Sequence, residues 1–446
     1  MWGGVVVWPL SRRSPVGEPE RESRWPWALV FVGALYLFTA TGTWWGGDHA
    51  EIILMSQRLL ERGTFTLAPE GQSPAELSWK PSGRPRFLPG PAVAFAPFVF
   101  VDRLLGWQRP PRLGVLVHFA SHVYVLCALG LLACAARRAG ASPLAAAMLV
   151  LLLGTSWPLW QIVRRGGAEP VVAFWIAVFL WGSVAGSNWV RAAACLALPW
   201  THPTGCLLAP TLALFQPVVP AVGPAPRRWS WLARERVVHA SVALAAVASV
   251  ILLWNRLYHG DWWGGGYGEA ARSPWFAHPP LQVWVQRYLV QCWLYAPVLM
   301  MLGLAALVQG RRGLRLLVPP LAVFLAISVF FSVYTPMLGQ DFIRRLSVVW
   351  LGFGLAVGLA WDGLGLSRTV AAGLAVLNLV IGVYWFQLFE FSHYRFPGEV
   401  YYPLVLWLTW LLEGRSSLLW GSYALGLGLA AALASWKLRP LFARRQ

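Results

Sequence analysis

Runs of predominantly apolar residues recur along this chain, at about 25–45, 113–135, 143–163, 170–187, 237–254, 290–309, 314–334, 346–364, 369–389 and 417–436. About 20 such residues cross a bilayer as a helix, and in hydrocarbon a helix satisfies its own backbone hydrogen bonds. The pattern therefore predicts an all-α integral membrane protein with about 11–13 transmembrane helices. Charged residues make up 12% of the chain, against about 25% in a typical soluble domain, which excludes an ordinary soluble protein. The stretch 191–214 is interrupted by Pro199, His202, Pro203 and Gly205. It predicts two short broken helices, which at membrane depth must be buried in protein or line a cavity.

The basic residues set the orientation. Arg12, Arg13, Arg21 and Arg24 place a tail of residues 1–24 in the cytoplasm under the positive-inside rule. Counting crossings through a transmembrane domain of residues 25–436, the segments with Arg137 and Arg138, with Arg227, Arg228, Arg234 and Arg236, and with Arg311, Arg312 and Arg315 fall on the same side. The agreement requires 191–214 to form a hairpin, and it returns the tail 437–446 to the cytoplasm. A long first loop, 46–112, then lies on the opposite face, together with 164–169, 255–289, 335–345 and 390–416. Candidate chemistry belongs to these extracytoplasmic loops.

The net charge of +18 comes from 36 basic and 18 acidic residues, and every basic residue but Lys80 and Lys437 is arginine. A nucleic-acid partner would call for a basic face on a soluble fold, whereas these arginines sit at the ends of apolar runs. Arg86, Arg164, Arg165, Arg344 and Arg345 lie outside, against the topology rule. Each alone fits headgroup contact or a loop ion pair. Arginine is also the preferred bidentate partner of phosphate, so the Arg-Arg pairs in short outer loops point to a phosphate-bearing ligand. The five cysteines show no metal-ligand spacing. His118 and His122 are spaced as two metal ligands on one helix would be, but they read as packing residues. Most of the 29 tryptophans suit an interfacial belt, with Trp44, Trp45, Trp262 and Trp263 as candidates for stacking on a sugar. Arginine and alanine use with almost no lysine points to a high-GC bacterium, and so to its inner membrane with the site facing the periplasm.

The first loop opens with GDHAEIILMSQRLLERGTF, residues 47–65. Ile52, Ile53, Met55, Leu59 and Leu60 fall on one side of a helix, with Glu51, Arg58, Glu61 and Arg62 facing away, a pattern that lies in the membrane interface. Asp48 stands at its start. It fits an N-cap, and equally a carboxylate general base held at the water–lipid boundary. His49 and Glu51 lack the third ligand that a metal site needs.

This segment resembles the first-loop signature of the GT-C superfamily of polyprenyl-phosphate-sugar-dependent glycosyltransferases, nearest to the protein O-mannosyltransferase and lipid A aminoarabinose transferase group. There an aspartate follows the first membrane helix, acts as catalytic base and leads into a juxtamembrane helix that ends in glycine. Asp48 and Gly63 match. GRPRFLPGPAVAFAPFVFVDRLLG, at 83–106, is similar to the family's basic-aromatic-Pro-Pro-Gly stretch through Arg86, Phe87, Pro89 and Gly90, with Leu88 in place of the first proline. Arg164, Arg165 and Glu169-Pro170 resemble its acidic-Pro start of the fourth helix. THPTG at 201–205, with His202, resembles its short mid-membrane helices. NRLYHGDWWGGGYGE at 255–269 is similar to its Asn-aromatic-Gly and Gly-Tyr loop through Asn255, Tyr258, Gly260, Gly266 and Tyr267, and MLGQDFIRRLSVVW at 337–350 to its late turn into a helix. The chain departs at His49, where many relatives carry a second acid, and in having no large soluble outer domain after its last helix.

The resemblance implies a GT-C transmembrane fold and an inverting sugar transfer from a polyprenyl-phosphate donor to a hydroxyl on a lipid, glycan or protein acceptor, with Asp48 as base. Substrate contacts would come from His49, Glu51, Arg86, Arg164, Arg165, Glu169, His202, Tyr267, Arg344 and Arg345. No cofactor is required by the scheme, although some GT-C enzymes use a divalent metal. Two other classes fit a chain of this kind, a lipid-linked sugar transporter or flippase and an inactive GT-C scaffold subunit of a cell-envelope assembly. Secondary transporters are often built from internal repeats with a midplane site. Here the halves show no self-similarity, and the acidic candidates lie outside the spans.

Overall fold

A computed structural model describes residues 25–40, 46–67, 84–107, 116–215, 234–260, 262, 295–306, 317–318, 320–327 and 341–393, with the backbone alone at 46–48, 118, 165, 341–348, 384 and 386–393. Among them every regular element is helical. Helix α1 spans Trp25–Phe38, α2 Gly46–Arg62, α3 Pro89–Leu104, α4 Ala120–Arg138, α5 Pro143–Gly154, α6 Trp157–Arg165, α7 Glu169–Ala185, α8 Asn188–Thr201, α9 Gly205–Leu214, α10 Arg234–Ser249, α11 Pro297–Ala305, α12 Asp341–Ala360 and α13 Arg368–His393. A 3-10 turn, Leu116–Phe119, leads into α4, and α10 runs on as a π-helix over Val250–His259. The cytoplasmic tail expected over 1–24 and the last span and tail expected within 394–446 lie outside the described residues.

The helices start and stop where local chemistry dictates. Ser142 caps α5 by accepting the Ala145 N–H at 3.1 Å, with Pro143 at its first position. Asp362 in turn accepts the Ser142 N–H at 2.7 Å, tying the end of α12 to the start of α5. Arg137 and Arg138 close α4, where cations oppose the negative end of the helix dipole. Asp102, fully buried on α3, accepts the N–H groups of Leu116 and Val117 at 2.8 and 2.9 Å and so supplies from a distance the cap that the 3-10 turn lacks locally.

Two cores result. The larger packs α1, α4, α5, α6, α7, α8, α9, α11 and α12 around residues such as Val32, Leu129, Leu149, Phe179 and Trp350. The smaller joins α2, α3, the start of α4, the loop before α7 and the π-helix through Ile52, Ile53, Phe87, Phe95, Ala168 and Trp254. Two described helices, Ala120–Arg138 and Arg234–His259, are each long and apolar enough to cross a membrane, and the bent pair α5 and α6 makes a third such span.

That pair corrects the expectation of one continuous span over 143–163. The two helices meet at 60°. Pro158 lacks the N–H that would bond the Gly154 carbonyl, and its ring crowds that oxygen. Three carbonyls at the end of α5 accept from side chains, Leu151 and Leu153 in addition to the backbone N–H groups of Thr155 and Ser156. Leu151 accepts the Thr155 hydroxyl at 2.7 Å, Leu153 the Ser156 hydroxyl at 2.6 Å, and Leu152 the Asn378 amide of α13 at 3.0 Å. A further boundary also moves: Asn255 and Tyr258, expected in a loop, belong to the π-helix, which ends only at Gly260 with φ of 78°.

Candidate functional site

Helix α2 begins at Gly46, so Asp48 is its third residue and stands inside the first turn rather than at the cap position. Two residues that follow Asp48 reach the segment that carries Arg86 and the loop that follows Arg164 and Arg165.

His49 is buried and meets the loop between α6 and α7. Its Nδ1 accepts the Gly167 N–H at 3.4 Å, which assigns the proton of a neutral ring to Nε2. The ring also packs edge-on to Phe95 at 5.6 Å. The loop lies so close that a Cβ on Gly166 would fall 2.2 Å from Nδ1. Gly166 also has φ of 66°, in the region that favours glycine. The loop itself is only Gly166–Ala168. Arg164 and Arg165, expected in it, are the last residues of α6, and Glu169 is the first of α7. Arg164 and Glu169 are both buried, at 8% and 5% exposure.

Glu51 corrects the sequence reading. Helical periodicity sets it on the outward face with Arg58 and Glu61, yet it is fully buried, whereas Glu61 is exposed. The segment 84–88 folds over the first turns of α2 and encloses it. Glu51 Oε1 accepts the backbone N–H of Arg86, and Oε2 lies 3.9 Å from Arg86 Nε. On its other side the Arg86 guanidinium sits 4.7 Å above the Phe87 ring, a cation–π contact. Farther along, the expected apolar stripe holds at Ile52, Ile53 and Met55, all fully buried, but not at Leu60, which is exposed. Ser56 secures α2 to α3 by donating to the Ala92 carbonyl at 2.8 Å.

His202 sits in extended backbone between α8 and α9, its Nδ1 2.8 Å from the Thr204 hydroxyl. Gly90, in the first turn of α3, brings this break to the same neighbourhood. A Cβ there would lie 2.6 Å from the Trp200 carbonyl oxygen and 2.9 Å from Thr201 Cα. The break at 201–205 is therefore pressed against the segment that carries Arg86. The two short helices expected over 191–214 are found, bounded differently, as α8 and α9.

The sequence did not single out Thr66 and Trp254. Tyr258 of the π-helix bonds Thr66 at 2.9 Å and stacks on Trp254 at 4.5 Å with an 8° interplanar angle, closing the small core beside α2. An aromatic spacing of i,i+4 was the available signal. Trp262, a sugar-stacking candidate, is half exposed, with Arg256 5.3 Å above its ring; Trp44, Trp45 and Trp263 lie outside the described residues. His122 packs edge-on to Tyr36. Arg344 and Arg345, expected in a loop at 335–345, belong to the first turns of α12. Tyr267 lies outside the described residues. No group of three or more His, Cys, Asp or Glu side chains converges as a metal site among the described residues.

What the geometry assembles is one carboxylate-bearing helix turn flanked by two tightly folded loops, each adjoining arginine, next to a broken helix. An arginine presented at such a site can hold an anion. No family model matches the sequence, and no curated protein matches it. Solved structures do. The fold is similar to ArnT from Cupriavidus metallidurans in the apo state, at 15% identity and a TM-score of 0.52, covering 92% of this chain and 75% of that one. It is likewise similar to the same protein bound to undecaprenyl phosphate, at 15% identity and a TM-score of 0.54, covering 92% and 76%. ArnT is a lipid A aminoarabinose transferase, a GT-C enzyme. The chain has a GT-C-like fold and is an all-α membrane protein.

Proposed function

We propose that this membrane protein of GT-C-like fold is a glycosyltransferase that takes a sugar from a polyprenyl-phosphate donor and transfers it, with inversion, to a hydroxyl acceptor at the extracytoplasmic face of a bacterial inner membrane. The observation that carries the reading is the start of α2, where the residues that follow Asp48 hold the Gly166–Ala168 loop through His49 and the Arg86 segment through Glu51. The solved structure of a fold neighbour with undecaprenyl phosphate supports the class of donor.

In this reaction the acceptor oxygen forms a bond to the anomeric carbon while the bond from that carbon to the phosphate oxygen breaks. The electron pair of that bond leaves with polyprenyl phosphate. The acceptor proton passes to the Asp48 carboxylate, a general-base step. Phosphate is a competent leaving group, so the remaining task is electrostatic. Arg86 and Arg164 take the growing charge, in a low-dielectric setting where such contacts are strongest. Arg165, Arg344 and Arg345 are further candidates. Glu169, beside the Gly166–Ala168 loop, and His202 and Tyr267 would contact the sugar or acceptor.

The test is to supply purified protein with a panel of polyprenyl-phosphate sugars labelled in the sugar, together with cell-envelope acceptors. Label transferred to acceptor with stoichiometric release of polyprenyl phosphate is expected. Label that crosses a vesicle membrane still attached to its lipid would instead establish a transporter.

A further inference from the structure

Glu51 has no exposed surface, so a ligand arriving from water or lipid meets none of its atoms. Its carboxylate faces inward to Arg86, whose side chain keeps 23% exposure. A buried carboxylate is tolerated only beside a compensating cation and hydrogen-bond donors, and Arg86 supplies both, the guanidinium and the backbone N–H. From the ligand's side, Arg86 is held at three points: by its backbone, by Nε 3.9 Å from Oε2, and by the Phe87 ring 4.7 Å from Cζ. A cation pinned this way, with part of its surface presented, is organised before any ligand arrives. His49 does the equivalent for the other loop. Its ring fills the space above Gly166 and accepts from Gly167, immediately after Arg164 and Arg165.

We infer that His49 and Glu51 are positioning residues, not substrate ligands: the turn after Asp48 is a two-armed clamp that sets the Arg86 segment with one side chain and, with the other, the Gly166–Ala168 loop that follows Arg164 and Arg165 at the end of α6. The assignment deepens the proposed function, since it rests on those arginines taking a lipid-borne phosphate.

The experiment is hydrogen–deuterium exchange on the full-length protein in detergent, with no lipid phosphate added, followed by titration with undecaprenyl phosphate. Glu51→Gln is expected to raise exchange at the amides of 86–88 about tenfold and leave 166–168 unchanged; His49→Ala is expected to do the reverse. Glu51→Gln should weaken undecaprenyl phosphate binding about tenfold in the native background and not at all in Arg86→Gln, since a side chain acting through Arg86 has nothing left to act on. Glu51→Asp should recover part of the binding. Should Glu51→Gln fail to fold, Glu51→Asp reads the same exchange at 86–88. Unchanged exchange at 86–88 in a folded Glu51 variant overturns the clamp whatever the lipid does, and equal losses of binding in both backgrounds make Glu51 a ligand. Exchange that follows the expected pattern in a protein that binds no undecaprenyl phosphate would leave the clamp standing and remove the proposed function.

Discussion

At Gly166 two constraints meet, a backbone with φ of 66° and ψ of −138° and a ring where a side chain would go, and Gly63 offers a comparison. Gly63, at the end of α2, has the same φ of 66°, yet a Cβ there would meet nothing within 4 Å, whereas a Cβ on Gly166 would lie 2.2 Å from His49. Gly63→Ala should cost about 1–2 kcal/mol from the torsion alone. Gly166→Ala should cost about 1–3 kcal/mol more, because the ring must shift and because ψ of −138° lies outside the left-handed helical well. Thermal unfolding of the two variants in one detergent checks this, and equal costs would mean that the loop does not press on His49. The residue scale also shows what the sequence could tell of the site. Arg86 and Gly90 were readable because each occupies a position in the motif that leads into α3. The burial of Glu51 was not, because periodicity along α2 describes one helix against one partner, while residues 84–88, more than thirty positions on, cover its other face.

The broken helix pair α5 and α6 carries the same lesson at the scale of elements. Thr155 and Ser156 read as ordinary members of an apolar span, since serine and threonine can return their hydroxyls to the preceding turn. What fixes the break lies 223 residues away, where Asn378 donates to the Thr155 hydroxyl at 2.9 Å. Gly382, one turn further along α13, lets the two backbones touch, for a Cβ there would fall 2.2 Å from the Thr155 carbonyl oxygen. Asn378→Leu leaves the buried Leu152 carbonyl without this donor and should cost about 1–3 kcal/mol, read as a fall in thermal midpoint with little change in helix content by circular dichroism. A variant as stable as the native protein would show that α13 does not hold the break. Local signals did reveal the break at 201–205, because Pro199, Pro203 and Gly205 mark it in the chain itself.

For the whole molecule, hydropathy was enough to give an all-α membrane protein, since burial in lipid leaves helix formation few alternatives. Hydropathy could not show that the first loop builds a second core of its own, seated on α4, the start of α7 and the π-helix. The proposed phosphate site draws Arg86 from beside the smaller core and Arg164 from a helix of the larger one, and a ligand joining them should stabilise the fold by mass action. Undecaprenyl phosphate at about 100 times its Kd should add about 2.7 kcal/mol, seen as a raised thermal midpoint that Arg86→Gln largely removes. An equal rise in that variant would place the lipid elsewhere. The central claim concerns Asp48, and the most direct measurement is the rate of sugar transfer by Asp48→Asn beside the native enzyme, at equal folded yield and saturating donor. A loss of about 10²–10⁴-fold with undecaprenyl phosphate affinity unchanged is the expected result, and undiminished turnover in the variant would contradict it.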